Sequence, residues 1–178
     1  MELKHHKTEL GTITYWTSRA TEKSTDTWLI FLPGLTADHT LFNRQLSHFM
    51  EKTNCLAWDP PAHGKSRPFS LKFSMDDLAT MLLGILKVEE ITNPVLIGQS
   101  MGGYVSQAFL SLFPGRAKGF VSIDSAPLAR AYYHKWEITA LKHTKAMYQG
   151  IPWGMLKKMT AKGCSTTVSY THLTLPTN

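Results

Sequence analysis

The sequence is poor in cysteine: 178 residues contain two, Cys55 and Cys164. Two cysteines make no disulfide framework and fit a reducing compartment. Long apolar runs are also missing, and no stretch approaches the ~20 apolar residues of a membrane span. The opening residues, Met1 to Glu9, are charged and lack the apolar core of a secretory leader. The expected location is therefore the cytoplasm, with no membrane span. Internal repeats and low-complexity linkers are absent. With 43% hydrophobic and 18% charged residues, the composition is that of a globular chain with enough length to bury a core.

The net charge of +6 needs locating before it is read as a nucleic-acid footprint. Up to Ser125, 12 basic residues face 12 acidic ones. The excess comes from Arg130, Lys135, Lys142, Lys145, Lys157, Lys158 and Lys162 against Glu137. No reading motif accompanies these cations, so a nucleic-acid partner is not expected.

Apolar runs alternate with helical patterns from Trp28 to Asp124. Trp28–Leu32, Asn54–Trp58, Pro94–Ile97 and Lys118–Ile123 read as buried strands, and Thr12–Thr17 as a strand of mixed character. Leu41, Phe42, Gln45, Leu46 and Phe49 form a stripe that predicts an amphipathic helix over Thr40–Lys52. Ser74 and Asp77 read as a capping box opening a helix that runs to Leu86, and Met101–Leu112 as a further helix stopped by Pro114. This alternation predicts an α/β fold with a mostly parallel sheet and flanking helices. After Pro127 the pattern turns helical and rich in aromatic residues and Met, over Ala129–Gln149 and Trp153–Thr160.

Gly98-Gln99-Ser100-Met101-Gly102 fits G-x-S-x-G between a strand and a helix. That placement suits a nucleophile elbow: the glycines clear space around a sharp turn that presents the Ser100 hydroxyl at the carboxyl end of the sheet. The Met101 N–H, at the helix N-terminus, is then a candidate donor to a developing oxyanion. Leu32-Pro33-Gly34-Leu35 follows the first buried strand and offers the Leu35 N–H as the second donor. Asp59-Pro60-Pro61-Ala62-His63-Gly64-Lys65-Ser66 follows the second.

These three segments, in this order and spacing, resemble the α/β-hydrolase superfamily, and most closely its esterase-like branch with a helical cap. The resemblance covers about Thr12 to Pro127. It implies Ser100 as nucleophile, Leu35 and Met101 as oxyanion-hole donors, and an acid and then a histidine further along the chain. It implies no cofactor and no metal. Two positions depart from the family pattern: Pro33 stands where a histidine is usual, and Ala62 where a glycine is usual. His63 is then a loop-shaping residue rather than the base. The implied reaction is hydrolysis of a small carboxylic ester, thioester or amide through an acyl-enzyme. A C–C bond hydrolase or lyase, and a non-catalytic small-molecule binder, are the alternatives on the same scaffold.

The later acids are Asp124 and Glu137, and the later histidines His134, His143 and His172. Asp124 ends a strand at the required edge and is the candidate acid; His134 and His143 read as surface or cap residues. Tyr132, Tyr133, Trp136, Met147, Tyr148, Trp153, Met155 and Met159 would suit a cap over a substrate with an apolar portion. His172 lies in Val168–Thr177, which resembles a translated sequencing adaptor. The expected organisation is thus the N-terminal part of a core at 1–127, a partial helical cap at 128–166 and a non-native tail at 167–178. On that reading the family's remaining strands and histidine lie outside this sequence, and the fragment alone is inactive.

Overall fold

The computed structural model describes residues 1–21 and 26–136, together with 139, 151, 154 and 155. The chain divides into two compact units, Met1–Leu128 and Ala129–Asn178.

The first unit is built on a six-stranded sheet: β1 (Glu2–Thr8), β2 (Gly11–Ser18), β3 (Trp28–Leu32), β4 (Asn54–Trp58), β5 (Pro94–Gln99) and β6 (Gly119–Ile123). The strand order is β1-β2-β4-β3-β5-β6. β1–β2 and β2–β4 pair antiparallel, whereas β4–β3, β3–β5 and β5–β6 pair parallel. Three α-helices join it: α1 (Asn43–Phe49), α2 (Met75–Val88) and α3 (Met101–Leu112). The α/β fold with a mostly parallel sheet is therefore as expected.

Both faces of the central strands are covered, which is why they read as unbroken apolar runs rather than as alternation. Ile30, Leu32, Leu56, Trp58 and Leu96 pack with Leu78, Leu82, Ile85, Val105 and Phe109 of α2 and α3. Phe31, Cys55 and Ala57 face the other way, onto Phe42 and Leu46. Burial pushes the Cys55 thiol up to about 11, so this cysteine packs as a small apolar side chain.

Local signals set the helix starts. Ser74 Oγ accepts from the Asp77 N–H while the Asp77 carboxylate accepts from the Ser74 N–H, completing the capping box of α2. Those Ser74 bonds hold the Asp77 carboxyl below its ordinary range. The stripe at 40–52 is not one helix. It opens as a 3₁₀ turn over His39–Phe42, capped by Asp38, and becomes α-helical only from Asn43 to Phe49. Leu41, expected on the apolar face, is exposed, while Phe42 and Leu46 are buried.

The flanks of the sheet differ. β1 carries Glu2, Lys4 and Lys7 with His5 and His6, and Lys4 bonds the buried Glu89 at 2.8 Å. β6 holds no charged residue, and its Val121 and Ile123 are exposed.

In the second unit, Arg130–Tyr132 forms a 3₁₀ turn, and Tyr132, Trp136 and Met155 are exposed. Most of the helices expected over Ala129–Gln149 and Trp153–Thr160 lies outside the described residues, as do His143 and the whole stretch 156–178 with His172. No helix among the described residues is long and apolar enough to cross a membrane.

Candidate active site

The carboxyl ends of β3, β4, β5 and β6 carry the residues singled out above. Ser100 sits between β5 and α3 with φ 49° and ψ −112°, a conformation that L-residues rarely adopt. Its surroundings hold it there. The Ser100 N–H donates to the Ile123 carbonyl at 2.9 Å, and the Ser100 carbonyl accepts from Ser125 Oγ at 2.9 Å and from the Gly103 N–H at 2.9 Å.

The flanking glycines allow the turn to close. A Cβ on Gly102 would lie 2.5 Å from the Leu32 carbonyl carbon, and one on Gly98 would lie 2.6 Å from Gly103 Cα. Both obstacles are backbone, so neither can swing aside. A strained residue that persists only because its neighbours over-determine it is characteristic of a functional turn.

Gly34 brings the loop after β3 against the same turn. Its Cβ position lies 3.1 Å from Ser100 Cβ and also meets the Gln99 side chain. Leu35 follows with an exposed side chain, and Thr36 takes φ 70°. Neither the Leu35 N–H nor the Met101 N–H enters a turn, loop or cap hydrogen bond among the described residues. Met101 N–H opens α3, where the partial positive charge of the helix end adds to the donor. The structure thus brings Ser100, Met101 and the Gly34–Leu35 segment together.

Asp124 ends β6 beside this cluster, exposed, with φ 48°. No hydrogen bond or ion pair of its side chain is found among the described residues. His134 is exposed in the second unit.

The loop after β4 is packed rather than open. His63 is buried, and its Nδ1–H donates to the Pro61 carbonyl at 2.9 Å, since a carbonyl oxygen only accepts. Burial keeps the ring neutral by lowering its affinity for a proton. Ala62, standing where the family pattern has glycine, takes φ 66°, at a cost of about 1 kcal/mol.

Sequence reasoning missed two braces. Gln107 Nε2 donates to the Ala126 carbonyl at 2.9 Å while its Oε1 accepts from the Leu128 N–H at 2.8 Å, pinning the chain after β6 onto α3. Asp59 is buried completely and accepts at Oδ1 from the His39 N–H (3.0 Å) and His39 Nδ1–H (2.7 Å), and at Oδ2 from the Lys65 N–H (2.7 Å). The Gln107 contacts and the His39–Asp59 contacts have no local sequence signal, because each joins segments 19 to 21 residues apart. Asp38, His39 and Asp59 place potential metal-ligand atoms within 4.8 Å of one another. Those atoms already have partners, since Asp38 Oδ1 accepts from the Thr40 N–H at 2.9 Å. The group is thus a hydrogen-bonded node between two loops.

A strained serine at a strand–helix turn, with glycines clearing space around it and a second loop packed against it, matches the turn geometry of α/β hydrolases. The profile of the alpha/beta hydrolase fold family matches residues 27–149, and the chain belongs to that family. Among curated relatives, the sn-1-specific diacylglycerol lipase of Danio rerio is 31% identical over 128 residues, covering 69% of this chain and 40% of the lipase. A thermophilic esterase from Thermogutta terrifontis superposes with a TM-score of 0.71 at 16% identity, covering 91% of this chain and 58% of the esterase. An N-acyl homoserine lactonase superposes with a TM-score of 0.64 at 22% identity, covering 74% of this chain and 48% of the lactonase. The chain therefore spans less than half of that lipase, and the two structural likenesses concern the fold alone.

Proposed function

We propose that this chain carries the nucleophile and oxyanion-hole residues of a serine hydrolase acting on small carboxylic esters, thioesters or amides. The observation that supports this best is the backbone of Ser100, held at φ 49° against backbone that leaves no room for side chains at Gly98 and Gly102. The names of the relatives, a lipase, an esterase and a lactonase, all denote cleavage of an ester bond.

In the proposed reaction Ser100 Oγ attacks the carbonyl carbon and the C–O⁻ that forms is held by the Leu35 and Met101 N–H groups. One such donor contributes about 3 kcal/mol. The serine proton passes to a base and then to the leaving group, and water releases the acid in the reverse sequence. Asp124 is the candidate acid on position alone, at the end of the neighbouring strand. His134 is the only histidine after Ser100 among the described residues, and it lies in the second unit. The aromatic and Met-rich composition after Pro127 suggests a substrate with an apolar portion. The proposed chemistry requires no metal or organic cofactor.

Labelling with a fluorophosphonate, followed by peptide mass mapping, tests the proposal. We expect the adduct on Ser100, and Ser100→Ala to lower the labelling rate at least 1,000-fold. Equal labelling of the Ser100→Ala protein would refute the assignment.

A further inference from the structure

Leu35 contributes its backbone and little else, which raises the question of what aims its N–H. The loop from Pro33 to His39 has one hydrogen bond of its own among the described residues, Ala37 N–H to the Gly34 carbonyl at 3.3 Å. The Leu35 side chain is 61% exposed. Thr36, β-branched, is held at φ 70°, a conformation it would leave if the loop were free to relax. The loop is therefore defined at its two ends.

Its near end is Gly34, wedged against Gln99 and Ser100. Its far end is His39, whose backbone N–H and ring Nδ1–H both reach Asp59 Oδ1, at 3.0 and 2.7 Å. Two donors from one residue on one oxygen fix both position and orientation. Asp59 is itself immobile: its N–H donates to the Thr14 carbonyl at 2.9 Å, its carbonyl accepts from Ser66 Oγ at 2.8 Å, and Oδ2 accepts from the Lys65 N–H at 2.7 Å. Gly64 makes room for that carboxylate, since a Cβ there would lie 2.6 Å from Asp59 Cγ. The His39 ring also stacks on Trp16, with centroids 3.5 Å apart and planes at 20°.

We infer that Asp59, through its hydrogen bonds to His39, is a positioning residue for the Leu35 oxyanion donor. The inference rests on the serine-hydrolase reading above for what the donor does. The carboxylate is the fixed post, and His39 is the link that keeps the far end of the loop in register with Gly34. When the link is cut, Thr36 relaxes and the neighbouring peptides turn with it, including the one that carries the Leu35 N–H.

Two His39 variants separate the hydrogen bond from the ring stack and leave the buried Asp59 intact. In His39→Asn the side-chain amide nitrogen stands where Nδ1 stood, so a donor to Asp59 is kept and the ring on Trp16 is lost. His39→Phe keeps a ring on Trp16 and loses the donor. The first readout is the affinity of phenylboronic acid, which bonds boron to Ser100 Oγ, releases the serine proton to buffer and leaves a tetrahedral anion in the oxyanion hole. The second is amide hydrogen exchange over 34–39, which needs no reactive serine.

We expect His39→Phe to weaken boronate binding at least tenfold and to speed exchange at 34–39 at least tenfold. His39→Asn should stay within threefold of the unsubstituted chain in both. Damage by His39→Asn equal to that by His39→Phe, or none by His39→Phe, would overturn the inference. So would faster exchange with unchanged boronate affinity, since the loop would then move without moving the donor. Should the unsubstituted chain show no Ser100-dependent boronate binding, the hydrolase reading fails instead, and the exchange comparison alone decides the link between Asp59 and the loop.

Discussion

Ser100 and Asp124 end adjacent parallel strands with almost the same twist, φ 49° and 48°. Their surroundings are opposite. Ser100 is clamped by hydrogen bonds to Ile123 and Ser125 and by backbone packed against Gly98 and Gly102. Asp124 is exposed. A positive φ is among the conformations aspartate tolerates unaided, whereas serine at φ 49° and ψ −112° needs a framework. A positive φ is therefore informative about a turn only where packing enforces it.

The comparison can be broken most severely at the glycines. Gly102→Ala would place its Cβ on the Leu32 carbonyl, and we expect about 4 kcal/mol or more of destabilisation by urea unfolding, or no cooperative transition at all. Gly119→Ala in β6 is the control: its Cβ meets only Val95 methyls, at 3.7 and 3.8 Å, and should change stability by less than about 1 kcal/mol. Next in size is Asp124→Asn, which should slow fluorophosphonate labelling of Ser100 about tenfold if position alone is enough to make it the acid. An unchanged rate would remove Asp124 from the machinery.

Replacing each turn residue with glycine sharpens the contrast. Ser100→Gly should raise stability by about 1 kcal/mol as the strain is released, while Asp124→Gly should shift it by no more than about 0.5 kcal/mol.

The loop after β4 supplies the smallest effect. Burial lowers the pKa of His63 and, less enclosed, of His6 below the ordinary 6.5. Below pH 6.5 the unfolded chain therefore binds more protons at these two histidines than the folded one, so their contribution to stability falls as pH drops through 6.5 and is constant well above it. A melting temperature followed from pH 8 to 5 should show that decline, and His63→Asn, which keeps a donor for the Pro61 carbonyl, should flatten it.

Much of this architecture was legible because it is local. Trp28–Leu32 and Asn54–Trp58 are apolar runs whose two faces are both buried, and Ser74 with Asp77 announces α2 within four residues. Ser100, Met101 and Gly34 were legible for the same reason, since a tight turn demands small neighbours in sequence. β1 was not, because Glu2–Thr8 holds one apolar residue, the exposed Leu3, and its pairing with β2 leaves no apolar pattern to read. Nor was the helix break at Asn43, where the Asp38 cap and His39 anchoring override the apolar stripe. The His39–Asp59 and Ser100–Ser125 contacts join residues from different crossovers, and no spacing rule reports on those.

The unequal flanks of the sheet carry a consequence for where it can grow. Charge along a strand discourages another strand from adding to it, and β1 has such charge while β6 has none. The β1 side therefore resists an added strand, and the β6 side is the one at which further pairing meets no charged side chain.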